Sequence, residues 1–457
     1  MRNYNDSSAR DAAARLLSLV NRVTILREKE PSDALKLLAG AAECIINGDC
    51  MGAYIKHCAL CRAIIKSPAR RVSGSIFTDY LIHLAVGYEH SFALSSATGM
   101  LDEAQLMLFR SDLSALGELS TLDSADISRM TMQRSRELNS RSRYAKDDIS
   151  VMSTAAWGGT EPKPMPHNKE AMPAEAALQP PAEGEWPAWS YGEKGMRGEY
   201  AADEVLEEIY ISLTESDNWK SAAQDLFNLF ASSGTGVLLR SRTLECRTDG
   251  QRAWLEEAAQ NECAVQLSCQ EKARQTLGEQ VIAFMRGTKP SCVLIYGPEA
   301  MGKATLARAM ADEFPELRLI QACPVNRAEI RSLFAYLGAQ PLRFMLLMEN
   351  ADTYSSAWRA LLNECTGAAV PQNVMCVATS SSAAGFAGFP VRIGLENMEL
   401  DAFAKTAEEL SAARAPYIDT DAAWIRNAAV DYQLDPHDEF NVSSASLIAA
   451  RFIAAHE

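Results

Sequence analysis

The sequence predicts an α/β phosphate-loop core preceded by an all-α N-terminal domain and a proline-rich linker. Three observations carry that prediction. Residues 8–120 repeat apolar side chains at helical spacing, with no strand-like alternation. Seven of the 18 prolines fall between Pro162 and Pro187. The apolar run Cys292-Val293-Leu294-Ile295-Tyr296 leads straight into Gly297-Pro298-Glu299-Ala300-Met301-Gly302-Lys303-Ala304-Thr305 and a helical pattern, the strand–loop–helix order that a phosphate loop requires. The segments that follow are 1–121, helical; 122–200, polar then Pro-rich linker, largely disordered; 201–290, a helical lead-in; and 291–399, the α/β core.

In the first segment Ala12, Leu16, Leu17, Val20 and Val23 recur at helical spacing, as do Leu35, Leu37, Leu38 and Ala41. Pro31-Ser32-Asp33 supplies a break and an N-cap before the second set. Further helical patterns cover 53–65, 77–93 and 101–119. Antiparallel helices with short loops are the simplest architecture, and they offer a face for docking a protein partner. Cys44, Cys50, Cys58 and Cys61 cluster here beside His57, and Cys58-Ala-Leu-Cys61 has a zinc-type spacing. On one helix, however, Cys50 and Cys58 stand roughly 12 Å apart, too far for one ion with sulfur bonds of ~2.3 Å. Buried, non-ligating thiols are the reading, so no structural metal site is expected.

Residues 122–150 carry Arg129, Arg134, Arg136, Arg141, Arg143 and Lys146, diluted by Glu137, Asp147 and Asp148. A solvated helix face or linker explains this better than a nucleic-acid site, because Tyr144 is the one aromatic nearby. From 160 to 189 the chain has almost no branched aliphatics, so it cannot bury enough apolar area to offset the entropy of ordering. Trp186, Trp189 and Tyr191 at its end could anchor it on a neighbour.

Composition narrows the function classes. The 457 residues carry 44 Lys plus Arg against 59 Asp plus Glu, a net charge of −15. Residues 1–150 hold 19 basic and 18 acidic residues, so the surplus of acid lies beyond them. That surface opposes phosphate neutralisation and so disfavours a nucleic-acid partner. Apolar runs stay short of the ~20 residues of a membrane span, and the polar N-terminus does not read as a secretion signal. Eleven cysteines, an odd number, agree with a reducing, cytoplasmic setting.

In the second half, helical patterns at 204–213, 219–230 and 268–286 precede the loop. Gly297 permits a tight turn there, Gly302 lets backbone amides approach phosphates, and Lys303 brings a positive charge beside a helix N-terminus. ATP or ADP is the ligand such a loop takes. The position after the lysine normally gives Mg²⁺ a hydroxyl, but here it is Ala304; Thr305 is rotated by about 100° and substitutes poorly. A second strand, 344–348, ends at Glu349 and Asn350: Glu349 could serve Mg²⁺ through water, whereas Asn350 cannot act as a general base. Asp352 would compensate only if its loop turned back. A third strand, 373–379, brings Thr379 and Ser381 to a position where polar side chains can sense a γ-phosphate.

With these residues assembled, residues 225–457 resemble a group of uncharacterised bacterial AAA-family ATPases classed as a domain of unknown function. The stretches that match are 270–284, 293–297, 343–346, 371–380, 392–395 and 449–453. The resemblance implies an AAA-type α/β core followed by a helical lid, here 400–457. It also implies departures. Relatives carry Ser at Ala304, paired Asp at Glu349 and Asn350, Asn and basic residues near Ser381, and a lid Arg near Leu447, while Arg392 keeps a basic position. Losses at such positions cost transition-state stabilisation, so the chain is at most a weak ATPase.

Three functions follow from the sequence. The favoured one is a degenerate AAA-type protein that holds ATP or ADP, hydrolyses it poorly and acts as a scaffold or regulatory subunit. It would dock a protein through its N-terminal helices, with homo- or hetero-oligomers both open. The second is an active ATPase that remodels a protein partner using Lys303, Glu349 and Arg392. The third is a nucleic-acid-associated protein acting through 129–146.

Overall fold

The computed structural model describes residues 8–28, 33–67, 69, 71–154, 180–189, 203–216, 218–258, 265, 267–288, 292–323, 326–351, 354–367, 369–433 and 440–456. The chain divides into two compact units, 1–231 and 232–457.

The first unit is helical: α1 (Ala9–Arg22), α2 (Ala34–Asn47), α3 (Cys50–Ile65), α4 (Ile76–Val86), α5 (Ser91–Ala97), α6 (Glu103–Leu119), α7 (Ser124–Thr154), α8 (Asp203–Glu215) and α9 (Ala223–Ser233), the last crossing the boundary by two residues. The helices start where short polar side chains meet otherwise unpaired amides: Ser8, Asp49, Ser75 and Asp102 each accept a backbone N–H of the first turn. Every residue of α4 is buried, so this helix is the centre of the unit. Asp112 of α6 is also buried, and its carboxylate accepts the N–H groups of Thr24 and Leu26 and the Thr24 hydroxyl, which fixes the turn after α1. Burial raises its pKa, and these hydrogen bonds oppose the rise.

Two expectations change here. The polar stretch from 122 is not linker at its start but the helix α7, whose Ile127, Met130 and Thr131 are buried. Its arginines are partly used within the fold. Arg134 is 7% exposed and donates to the Ile45 and Ile46 carbonyls at the end of α2, while Arg129 pairs with Asp126. The expected linker of 160–189 lies outside the described residues up to 179. Its end does anchor: the Trp186 ring lies 5.1 Å from those of Tyr54 and His57, and Trp189 packs against Phe77. His57 donates through Nε2 to the Pro187 carbonyl at 2.7 Å, and Cys61 Sγ lies 3.4 Å from both that nitrogen and that oxygen. Tyr191 lies outside the described residues.

The second unit is the α/β phosphate-loop core with helical additions that the sequence predicts. Its elements are α10 (Val237–Arg240), β1 (Thr243–Thr248), β2 (Ala253–Glu257), α11 (Glu271–Met285), β3 (Val293–Tyr296), α12 (Lys303–Glu313), β4 (Leu317–Gln321), α13 (Arg327–Gly338), β5 (Arg343–Met348), α14 (Ser356–Cys365), β6 (Val374–Ser380), β7 (Val391–Gly394), α15 (Leu400–Arg414), α16 (Ala422–Gln433) and α17 (Val442–His456). The lead-in expected to be helical therefore contains a hairpin. The seven strands run in the order β2-β1-β4-β5-β6-β3-β7, all parallel except β2.

Both faces of the sheet are covered, which is why its central strands are unbroken apolar runs. Val293, Ile295, Met345, Leu347, Met375 and Val377 face α11, α12 and the closing helices; Leu294, Phe344, Leu346, Met348 and Cys376 face α13 and α14. Phe403, Ile425, Ile448 and Phe452 of α15–α17 belong to the first of these cores, so the closing helices pack on the side of the sheet that carries α12.

Candidate phosphate-binding site

The registers level Tyr296 of β3 with Ser380 of β6 and Gly394 of β7, and Met348 of β5 with Ala378. The segments that follow, from Gly297, Glu349, Ser381 and Leu395, therefore leave one edge of the sheet, the carboxyl edge where open α/β sheets take ligands. An open groove there is lined by Tyr296, Gly297, Pro298, Ser381, Ser382 and Leu395, among others.

The loop is held from several directions. Gly297 has φ +147°, and a Cβ there would stand 2.2 Å from the Leu395 carbonyl oxygen, so the close approach of β3 to the end of β7 demands glycine. Gly302 caps α12 at φ +76°, and a Cβ would meet Gln270 Nε2 at 2.7 Å. The expected reason for Gly302, room for phosphate, thus has a companion inside the protein. Gln270 is buried and donates to the Met301 carbonyl at 2.6 Å, and Ser443 at the start of α17 donates its N–H to the Ala300 carbonyl at 3.3 Å.

Lys303 lies across this loop. It is 7% exposed, and its ammonium donates to the carbonyls of Gly297 at 2.9 Å and of Pro298. Burial lowers its pKa, and the charge of the exposed Glu299 offsets part of that. An ammonium has three protons, so two carbonyls leave one for an anion. The first amides of α12 lack partners within the helix and add positive potential at the same end. A phosphate group fits this donor set.

The metal-binding half is different. Ala304 packs against the core and Thr305 is exposed. Glu349 forms an ion pair with Arg308 of α12, with side chains 31% and 26% exposed. Asn350 is exposed at φ +49°, and its N–H donates to the Thr379 hydroxyl at 2.9 Å. Thr379 is buried and also accepts the Ala351 N–H on its carbonyl, so it pins the turn after β5. Ser381 is exposed in the groove. Asp352 lies outside the described residues. Among those residues, no cluster of three or more His, Cys, Asp or Glu is placed to hold a metal ion.

The structure thus gathers Gly297, Gly302, Lys303, Ala304, Glu349, Asn350, Thr379 and Ser381 at one edge, with Thr305 beside them on the outer face of α12. Arg392 stands apart. It is level with Leu294, two residues back from that edge, and donates to the Phe386 and Phe389 carbonyls before β7. Sequence reasoning missed Arg308, Gln270, Leu395 and Ser443. Arg308 had a signal, since it stands four residues after Ala304 and shares its helix face.

Fold and loop together define a phosphate-loop α/β protein. Residues 247–383 match the family model described as "Protein of unknown function (DUF815)", within the stretch where the sequence resembles a domain-of-unknown-function group. No curated protein matches the chain. Among solved structures, the Thermotoga maritima RuvB Holliday junction branch migration motor is 18% identical, with 41% of this chain and 61% of that one covered and a TM-score of 0.32. The Aeropyrum pernix ORC1 protein in complex with DNA is 16% identical, with 42% and 66% covered and a TM-score of 0.28. The chain spans about three fifths of the length of that RuvB structure.

Proposed function

We propose that this chain is an AAA-type phosphate-loop protein that binds ATP or ADP, hydrolyses it poorly and serves as a scaffold or regulatory subunit. One observation carries the reading: Lys303 bridges the first two carbonyls of a glycine-bounded loop between a buried inner strand and a helix N-terminus. Support for impaired hydrolysis comes from Ala304, which offers no hydroxyl, and from Asn350, an amide that cannot take a proton from water. Arg392 is committed to loop carbonyls, which argues against its use on a phosphate. The helical first unit is the part left for a protein partner. Burial of Arg134 counts against a nucleic-acid role for 129–146.

The test is a calorimetric titration of the full chain with ATP and ADP beside the Lys303→Ala variant, together with a turnover assay. Binding that weakens by about tenfold or more in the variant is expected, since a charged hydrogen-bond donor is lost. Turnover above background that Lys303→Ala abolishes would sink the claim of impaired hydrolysis. Absence of binding would sink the nucleotide itself.

A further inference from the structure

Arg308 and Ala304 lie one turn apart on the same face of α12, and the acid that sequence reasoning assigned to Mg²⁺ is the acid that Arg308 engages. The ion pair holds the Arg308 guanidinium against Glu349 at the carboxyl edge of the sheet, and the Arg308 Nε is buried with no hydrogen-bond partner among the described residues. A divalent ion prefers a shell of oxygens. Here the hydroxyl position is a methyl group, the carboxylate is engaged by a cation, and Asn350 has its backbone turned to Thr379. The described residues at this edge do not fit Mg²⁺.

We infer that this site takes a nucleoside di- or triphosphate as the metal-free anion, and that the Arg308 guanidinium, held in position by Glu349, stands in the place of the divalent cation. The inference rests on the nucleotide reading and sharpens it. A guanidinium cannot lose its proton in a protein, so this positive charge is permanent and is not exchanged with solvent. The pair also explains why a chain with Ala304 keeps an acid at Glu349: the acid holds the arginine.

Binding of a fluorescent ATP analogue to the full chain, followed by anisotropy, separates the alternatives. With Mg²⁺ or with EDTA the dissociation constant should agree within about twofold, a difference well under 1 kcal/mol. Arg308→Gln releases Glu349, so binding in EDTA should weaken by about tenfold and Mg²⁺ should recover part of it. Glu349→Gln leaves the arginine unneutralised, so metal-free binding should hold or tighten; this variant also controls for misfolding of the first. Binding to the native chain that needs Mg²⁺ overturns the inference and leaves the nucleotide reading standing. So does an Arg308→Gln variant that binds as the native chain does in EDTA. Absence of binding with and without Mg²⁺ overturns both.

Discussion

His90 shows how one buried side chain sets a pH limit. It is 2% exposed, its Nε2 donates to the Ala85 carbonyl at 3.1 Å, and its Nδ1 accepts the Ala93 N–H at the start of α5. One donor and one acceptor require the neutral ring. Burial pushes its pKa down to about 4. The folded-state value lies below the unfolded one, so between those values the unfolded chain binds more protons. The resulting stability is complete above the ordinary histidine value of about 6.5 and is lost as pH falls toward about 4, at about 1.4 kcal/mol per unit of depression. Urea unfolding followed through the first unit's signal should therefore show falling stability over that window. His90→Asn retains an N-cap side chain without the titration, so its stability should change less with pH there. Equal slopes for both proteins would refute this role.

At the scale of elements, caps and edges explain what the sequence could and could not show. Arg134 closes α2: its guanidinium satisfies the Ile45 and Ile46 carbonyls, a favourable placement for a cation at a helix C-terminus. Arg134→Ala should lower unfolding stability by about 1–3 kcal/mol, with Arg134→Lys between the two, as read from denaturant midpoints. A change within error would return Arg134 to the solvated face that the sequence suggests. That reading failed because the partner carbonyls are 88 and 89 residues away. By contrast β3, β5 and β6 were legible because strands buried on both faces are continuous apolar runs. Their neighbour β4 was not, since Arg318 interrupts five residues; its buried side chain donates to the Leu238 and Pro315 carbonyls. The β1–β2 hairpin was also hidden. It is an edge pair whose Glu245, Arg247 and Glu256 form ion pairs on the exposed side, so it lacks the continuous apolar run of the strands buried on both faces. The site divides in the same way. Loop residues contiguous in sequence were found, whereas Gln270, Leu395 and Ser443 reach the loop only through the fold.

For the whole molecule, the two units change the meaning of the acidic surplus. Residues 1–231 hold 24 basic and 32 acidic residues and residues 232–457 hold 20 and 27, so the net charges are −8 and −7. Neither unit is the neutral partner of an acidic one. Each unit has its own buried core, with Phe77, Phe92 and Phe109 in the first and Phe284, Phe344 and Phe403 in the second. Two calorimetric unfolding transitions are therefore expected from the full chain. The phosphate-loop residues all belong to 232–457. ATP or ADP at about a hundredfold over its dissociation constant should stabilise that unit by about 2.7 kcal/mol and leave the other transition in place. Lys303→Ala should abolish the shift without merging the transitions. A single transition that moves as one with nucleotide would instead show that the units unfold together, and that nucleotide occupancy is felt across the boundary at residue 231.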